Sequence, residues 1–178
     1  MAFTETLNRR QASPQRALAL FDSLEPATVD FMQGNWKGEG FYTGHGLDGL
    51  LEAFHWHGKR FEDTETVHPL VFRTLRGGRV YVNPRCMMGS PALMERLPLG
   101  GSPLLGRCFQ LLLPLMRTSK PRARLRTMEY RGKAGAAMIY DQLPIQDLFR
   151  RIDEDTVLGL MDLRGLSRPF FFVLRREA

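Results

Sequence analysis

The stretch Gly34-Asn35-Trp36-Lys37-Gly38-Glu39-Gly40 sets one tryptophan among three glycines, where helix-like sequence gives way to strand-like sequence. Glycine allows backbone conformations and close approaches that a Cβ forbids, and tryptophan is the largest apolar plug available. Together they point to a strand that runs hard against other backbone and closes a barrel, or half of one, with an indole.

The rest of the chain agrees with short strands and turns. Residues 1–12 read as a frayed leader. Ser13 followed by Pro14 is a helix start, with Ala17, Leu18, Phe21 and Leu24 as its apolar stripe. A second short helix is expected from Glu25-Pro26, and the two helices read as a cap before the first strand. Leu47, Leu50, Leu51 and Phe54 suggest a short amphipathic helix. Residues 54–61 alternate aromatic with polar side chains and read as a strand. Strands follow at 67–73, broken by Pro69, and at 79–83 after the Gly77-Gly78 turn. Further strands are expected at 122–127, 136–141, 156–162 and 170–174, the last apolar on both faces. Residues 143–151 read as a connection, partly turn and partly one turn of helix.

Between the two runs of strands, residues 84–121 are punctuated by Pro84, Gly89, Pro91, Pro98, Gly100, Gly101, Pro103 and Gly106. The apolar run Phe109–Met116 is too short to span a bilayer, which takes about 20 residues. It reads as a lid or core helix. The basic residues after it, Arg117, Lys120, Arg122, Arg124 and Arg126, leave a transient contact with an anionic membrane as the alternative. On strand spacing, the last three arginines share a solvated outer face.

At 178 residues and 43% hydrophobic, the chain can bury one core and is expected to form a single domain, 1–178. The net charge of +6 favours anionic partners, but no nucleic-acid-binding module is present, so no specific nucleic-acid contact is expected. Cys86 and Cys108 make neither a disulfide framework nor a metal-like spacing. With no apolar signal core in Met1–Arg10, the expected location is cytoplasmic.

Gly34-x-Trp36-x-Gly38 resembles the bacterial GXWXG family. Trp56-x-Gly58-Lys59-x-Phe61, Pro69-Leu70 and the block Met138-Ile139-Tyr140-Asp141-x-x-Pro144-Ile145-x-Asp147-x-Phe149-Arg150 resemble its companion, the domain of unknown function 4334. The likeness continues through Leu158-Gly159-x-Met161-Asp162 into the terminal phenylalanine-rich strand. It divides the chain into a GXWXG-like part, about 17–75, and a companion part, about 120–176. The resemblance implies a lipocalin-like or calycin-like barrel. Lipocalins and fatty-acid-binding proteins likewise carry Gly-x-Trp on their first strand. Trp36-Lys37-Gly38-Glu39-Gly40 is also similar to nitrobindin-type haem barrels. Their iron ligand is a histidine near the C-terminus, which Arg164–Ala178 lacks, so neither haem nor another cofactor is expected. The expected fold is thus mainly β: an antiparallel meander closed into a barrel, with short N-terminal helices and a helical insertion around 90–117.

A barrel of this kind is expected to bind a small hydrophobic or amphipathic molecule, such as a fatty acid or a lipid-like molecule. Trp36 would close the base, Trp56, Tyr81, Tyr140 and Phe171 would form walls, and Lys59, or one of Arg122, Arg124 and Arg126 turned inward, would meet an acidic head. The first alternative is an acid–base enzyme using the same pocket, with Asp141, Asp162 or His57 as proton carrier. The second is a membrane-surface or protein-interaction module. Asp147, Arg150 and Arg151 read as a structural ion-pair network. His55 and His57 share a strand face, yet no third ligand sits at a supporting spacing, so no metal is expected.

Overall fold

The computed structural model describes residues 2–87 and 102–177. The insertion expected around 90–117 lies partly outside them, along with the punctuating residues Gly89, Pro91, Pro98, Gly100 and Gly101.

Among the described residues ten strands are formed: β1 (Glu25–Pro26), β2 (Gly34–Gly40), β3 (Trp56–Phe61), β4 (Val67–Arg73), β5 (Arg79–Tyr81), β6 (Ala123–Tyr130), β7 (Lys133–Tyr140), β8 (Ile145–Arg151), β9 (Thr156–Leu163) and β10 (Phe170–Arg176). Eight of them, β2, β3, β4, β6, β7, β8, β9 and β10, pair antiparallel in that order. Closure comes from β10 returning to β2, from Phe172 opposite Gly40 to Arg176 opposite Trp36. Closure gives each of these strands a neighbour on both sides. The seam between β4 and β6 is the thinnest, with Val67 opposite Ala123. Beyond it β4 pairs with β5 instead, so the insertion enters the wall there.

Helices α1 (Ala2–Arg9), α2 (Pro14–Ser23), α3 (Val29–Met32), α4 (Leu50–Ala53) and α5 (Pro103–Leu112) decorate the barrel, α5 running into a 3-10 segment, Leu113–Met116. The start of α2 is built as its sequence requires. The Ser13 hydroxyl accepts the Arg16 N–H, and Pro14 occupies the first turn, where its missing N–H costs nothing. Its stripe Ala17, Leu20 and Phe21 covers Ala137, Leu148, Leu158, Leu160, Phe171 and Val173 on the outside of the barrel. That is why β10 is apolar on both faces. The inner face carries Phe170, Phe172 and Leu174 into the interior, and the outer face lies under α2.

Several expectations are corrected. The segment 1–12 is not a frayed leader but contains α1, and Gln11 bridges to Tyr42. Glu25-Pro26 begins no helix: it pairs with Arg151 and Arg150, and α3 starts four residues later behind the Thr28 cap. Residues 145–151 are a full barrel strand rather than a connection, because both neighbours β7 and β9 hydrogen-bond to them. Pro69 does not break β4. It lies where the β3–β4 register shifts, a place that needs no regular ladder donor. His55 precedes β3, with φ +60°, and so shares no strand face with His57.

The floor is closed from Trp36. Its indole is fully buried and donates Nε1–H to the Met32 carbonyl at 2.7 Å. Phe31 packs beside it, and the Arg176 guanidinium lies 4.4 Å from its ring while donating to the carbonyls of Phe31 and Gln33. Arg151 stacks on the far partner, 4.3 Å from Phe31. The opening motif is therefore a plug, held by one hydrogen bond and a cationic cover.

Candidate functional site

The interior is shaped by an irregularity in β3. In a regular strand, residues three apart face opposite sides. Here the register shifts on both sides of Gly58, whose φ is +148°. A Cβ at Gly58 would sit 1.8 Å from the Trp36 carbonyl oxygen, so only glycine lets the two backbones approach this closely. The bulge turns both Trp56 and Lys59 into the barrel and leaves His57 on the outer side. Gly38 completes the arrangement by leaving its Cβ space to the Trp56 ring, which a methyl group there would meet at 2.0 Å.

Inside, Lys59 and Asp147 form a buried ion pair at 2.8 Å, with side chains 3% and 1% exposed. Lys59 Nζ also donates to the Pro69 carbonyl at 3.2 Å. It lies 5.0, 5.6 and 5.9 Å from the ring centres of Phe172, Trp56 and Tyr140, an aromatic box in which the ring faces attract the cation. Burial pushes the Asp147 carboxyl up from its ordinary range, against the opposing pull of the Lys59 charge. Burial, and then the Asp147 charge, push the Tyr140 phenol well above its ordinary value, so it stays protonated and able to donate. Among the described residues, two polar atoms of this group have no partner: Asp147 Oδ1, an acceptor, and Trp56 Nε1, a donor. Orphaned buried polar atoms are costly, which marks this as an unusual place in the core.

Tyr140 separates this pair from a small apolar cavity of about 120 Å³ at the barrel mouth. Leu70, Ile145, Met161, Leu163 and Phe170 share the walls with Tyr140. Leu47, Leu50, Leu51 and Phe54, from α4 and its flanks, form the roof. The roof is anchored by Asp48, whose Oδ2 accepts the N–H groups of Thr43 and His45, and by Glu52, whose Oε1 accepts the Gly40 N–H. From outside, α5 clamps it: Phe109 stacks flat on Phe54 at 4.2 Å, and Gln110 donates to the Phe54 carbonyl.

Of the residues expected to line a pocket, the structure brings Trp56, Lys59 and Tyr140 together and sets Trp36 at the floor. Two do not enter. Tyr81 lies outside, stacked on His68 at 3.9 Å and accepting from Arg60. Phe171 faces Phe21 and Phe41 beneath α2. The three proton-carrier candidates also lie away from the interior. Asp141 pairs with Arg124 at 2.9 Å, and Asp162 accepts from Gln146. His57 Nδ1 accepts from Arg73 Nε, while its other ring nitrogen meets Glu177 at 2.8 Å. Asp147, Arg150 and Arg151 do not form one network. Arg150 sits outside, 4.8 Å from the Phe21 ring and bonded to the Tyr130 carbonyl, whereas Arg151 belongs to the floor. Asp147 finds Lys59 instead, 88 positions away by residue number, a pairing no local spacing announces. Among the described residues, no cluster of three or more His, Cys, Asp or Glu side chains could hold a metal.

Comparison with known proteins agrees with this architecture. Residues 19–77 match the model of the GXWXG protein family, and residues 121–176 match the domain of unknown function DUF4334. No curated protein matches the chain. A crystal structure of a protein from Thermomonospora curvata is similar, with 32% identity and a TM-score of 0.71 over 98% of this chain and 95% of that one. With the glycine–tryptophan floor, the eight-stranded closure and a similar structure over nearly the whole length, the chain belongs to the family of GXWXG proteins that carry the domain of unknown function 4334.

Proposed function

We propose that the barrel binds a small apolar or amphipathic molecule at its mouth, with any polar end turned toward Tyr140 and the Lys59–Asp147 pair. The observation that carries this reading is an apolar cavity set over a buried ion pair in which one carboxylate oxygen has no partner. Binding sites commonly combine apolar walls with a few convergent polar groups, and structural cores rarely leave such groups unpaired. The size restricts the ligand. A cavity of about 150 Å³ holds benzene, so about 120 Å³ takes a small ring or a short chain. A long fatty-acid chain would require the α4 roof to move. An acidic head aimed at Lys59 would also meet Asp147, which already neutralises that ammonium. A neutral polar end such as a hydroxyl therefore suits the site better than a carboxylate.

Titration with phenol and with hexanoate, followed by the methyl resonances of Ile145 and Met161, tests this. Saturable shifts are expected, larger at a given concentration for phenol, and Leu163→Trp should abolish them by filling the space. Absence of saturable shifts with both probes, or their persistence in the Leu163→Trp protein, would overturn the proposal.

A further inference from the structure

Helix α5 and the 3-10 segment after it carry leucines on their exposed side as well as apolar side chains on the buried one. The inner side buries Gly106, Phe109, Leu113 and Met116. The outer side leaves Leu104, Leu111 and Leu115 at 70, 77 and 82% exposure, and Leu75, from the turn between β4 and β5, is 75% exposed beside Leu111. Soluble monomers rarely expose leucines in such a cluster. The surroundings are cationic. Arg76, Arg79 and Arg117 line one groove with Leu75 and Pro114, and among the described residues no carboxylate lines it. Arg107 projects from the exposed side of α5 itself. Arg79 is paired with Glu177, but the side chains of Arg76, Arg107 and Arg117 form no ion pair among the described residues.

We infer that the outer face of α5, with Leu75 and the arginines around it, is a docking surface for an anionic lipid bilayer. Exposed leucines rimmed by unpaired arginines are what a helix needs to lie in the headgroup layer, with its apolar side chains at the acyl boundary. No helix among the described residues is long and apolar enough to cross the bilayer, so the contact is a surface one. A second copy of the chain fits the patch less well. A two-fold contact sets a patch against itself, which would bring two sets of the same arginines together. The groove between α4 and α5 does hold Glu52, but its carboxylate is engaged by the Gly40 N–H and belongs to the roof. Since α5 is stacked through Phe109 on Phe54 of that roof, docking sets the mouth of the barrel against the membrane. The docking itself does not depend on the ligand reading.

Co-sedimentation of the full chain with phosphatidylcholine–phosphatidylglycerol vesicles, against phosphatidylcholine alone, tests the inference. Binding is expected to the anionic vesicles only and to weaken with salt. The Leu111→Asp, Leu115→Asp double variant should lose about tenfold or more in partitioning. Arg76→Gln and Arg117→Gln should each lose about fivefold. All four side chains are solvent-facing, and near-UV circular dichroism verifies that each variant keeps the native fold. Arg124→Gln, whose guanidinium is already paired with Asp141, should bind as the parent protein does. No partition into anionic vesicles, or full binding by the folded double leucine variant, would overturn the proposal. So would a concentration-dependent dimer in analytical ultracentrifugation that the double variant dissolves, which would assign the patch to a second copy.

Discussion

Gly38, Gly58 and Trp56 depend on one another across two strands. The Trp56 ring occupies the space a Gly38 side chain would take, and Gly58 lets the β3 backbone press against the Trp36 carbonyl. Gly38→Ala should cost about 1–3 kcal/mol, because the indole must tilt into an already filled interior. Gly58→Ala should cost more, since its clash is with backbone and its φ of +148° strains any L side chain. Thermal melts of the two variants check both the size and the order of the losses. The glycines at 34, 38 and 40 were legible as signs of close approach. What approaches Gly38 was not, because Trp56 reaches it from another strand through a bulge that no local pattern encodes.

At the scale of elements, β3 and β8 supply the two halves of the interior ion pair. Strand β8 is hard to read because Ile145, Asp147, Phe149 and Arg151 mix charge with apolar bulk on one face, and alternation therefore fails. Buried pairs of this kind are costly to break from one side, while exchanging both partners for apolar groups is often neutral or stabilising. Asp147→Asn should cost about 3–5 kcal/mol by leaving the Lys59 ammonium uncompensated. The double variant Lys59→Met, Asp147→Leu should recover most of that loss. Denaturant melts of the single and double variants measure the coupling. If both prove equally damaging, the pair is not an isolated unit and the aromatic box around it carries the stability.

For the whole molecule, carboxylates that tie distant parts of the surface together set the response to acid. The hydrogen bonds and charge of Arg131 hold Asp22 below its ordinary value, tying α2 to the β6–β7 turn. Burial raises Glu177, but His57 and Arg79 outweigh it, so the net shift is downward, tying the C-terminus to β3 and β5. A carboxyl with a lowered folded pKa stabilises the fold above its unfolded value and loses that contribution as pH falls through the folded one. Asp147, with a raised pKa, acts in the opposite sense: its contribution is present at low pH and lost as pH rises through its folded value. The melting temperature should therefore fall as pH drops below about 4. Asp22→Asn combined with Glu177→Gln should flatten that fall, which differential scanning calorimetry across the acid range would show.

The same division runs through the barrel as a whole. Local chemistry alone determined that the chain alternates short strands with glycine turns, that Ser13-Pro14 starts a helix, and that Trp36 closes the barrel. These follow from backbone sterics, capping and side-chain size within a few residues. Only the tertiary structure decided which faces look inward. Closure of β10 onto β2, the bulge at Gly58 and the cover of α2 sent Trp56 and Lys59 into the interior and left Tyr81, Phe171, Asp141, Asp162 and His57 outside it. Face, burial and partner depend on contacts between residues far apart in the chain. A strand's own sequence carries its alternation, but not the origin from which that alternation is counted.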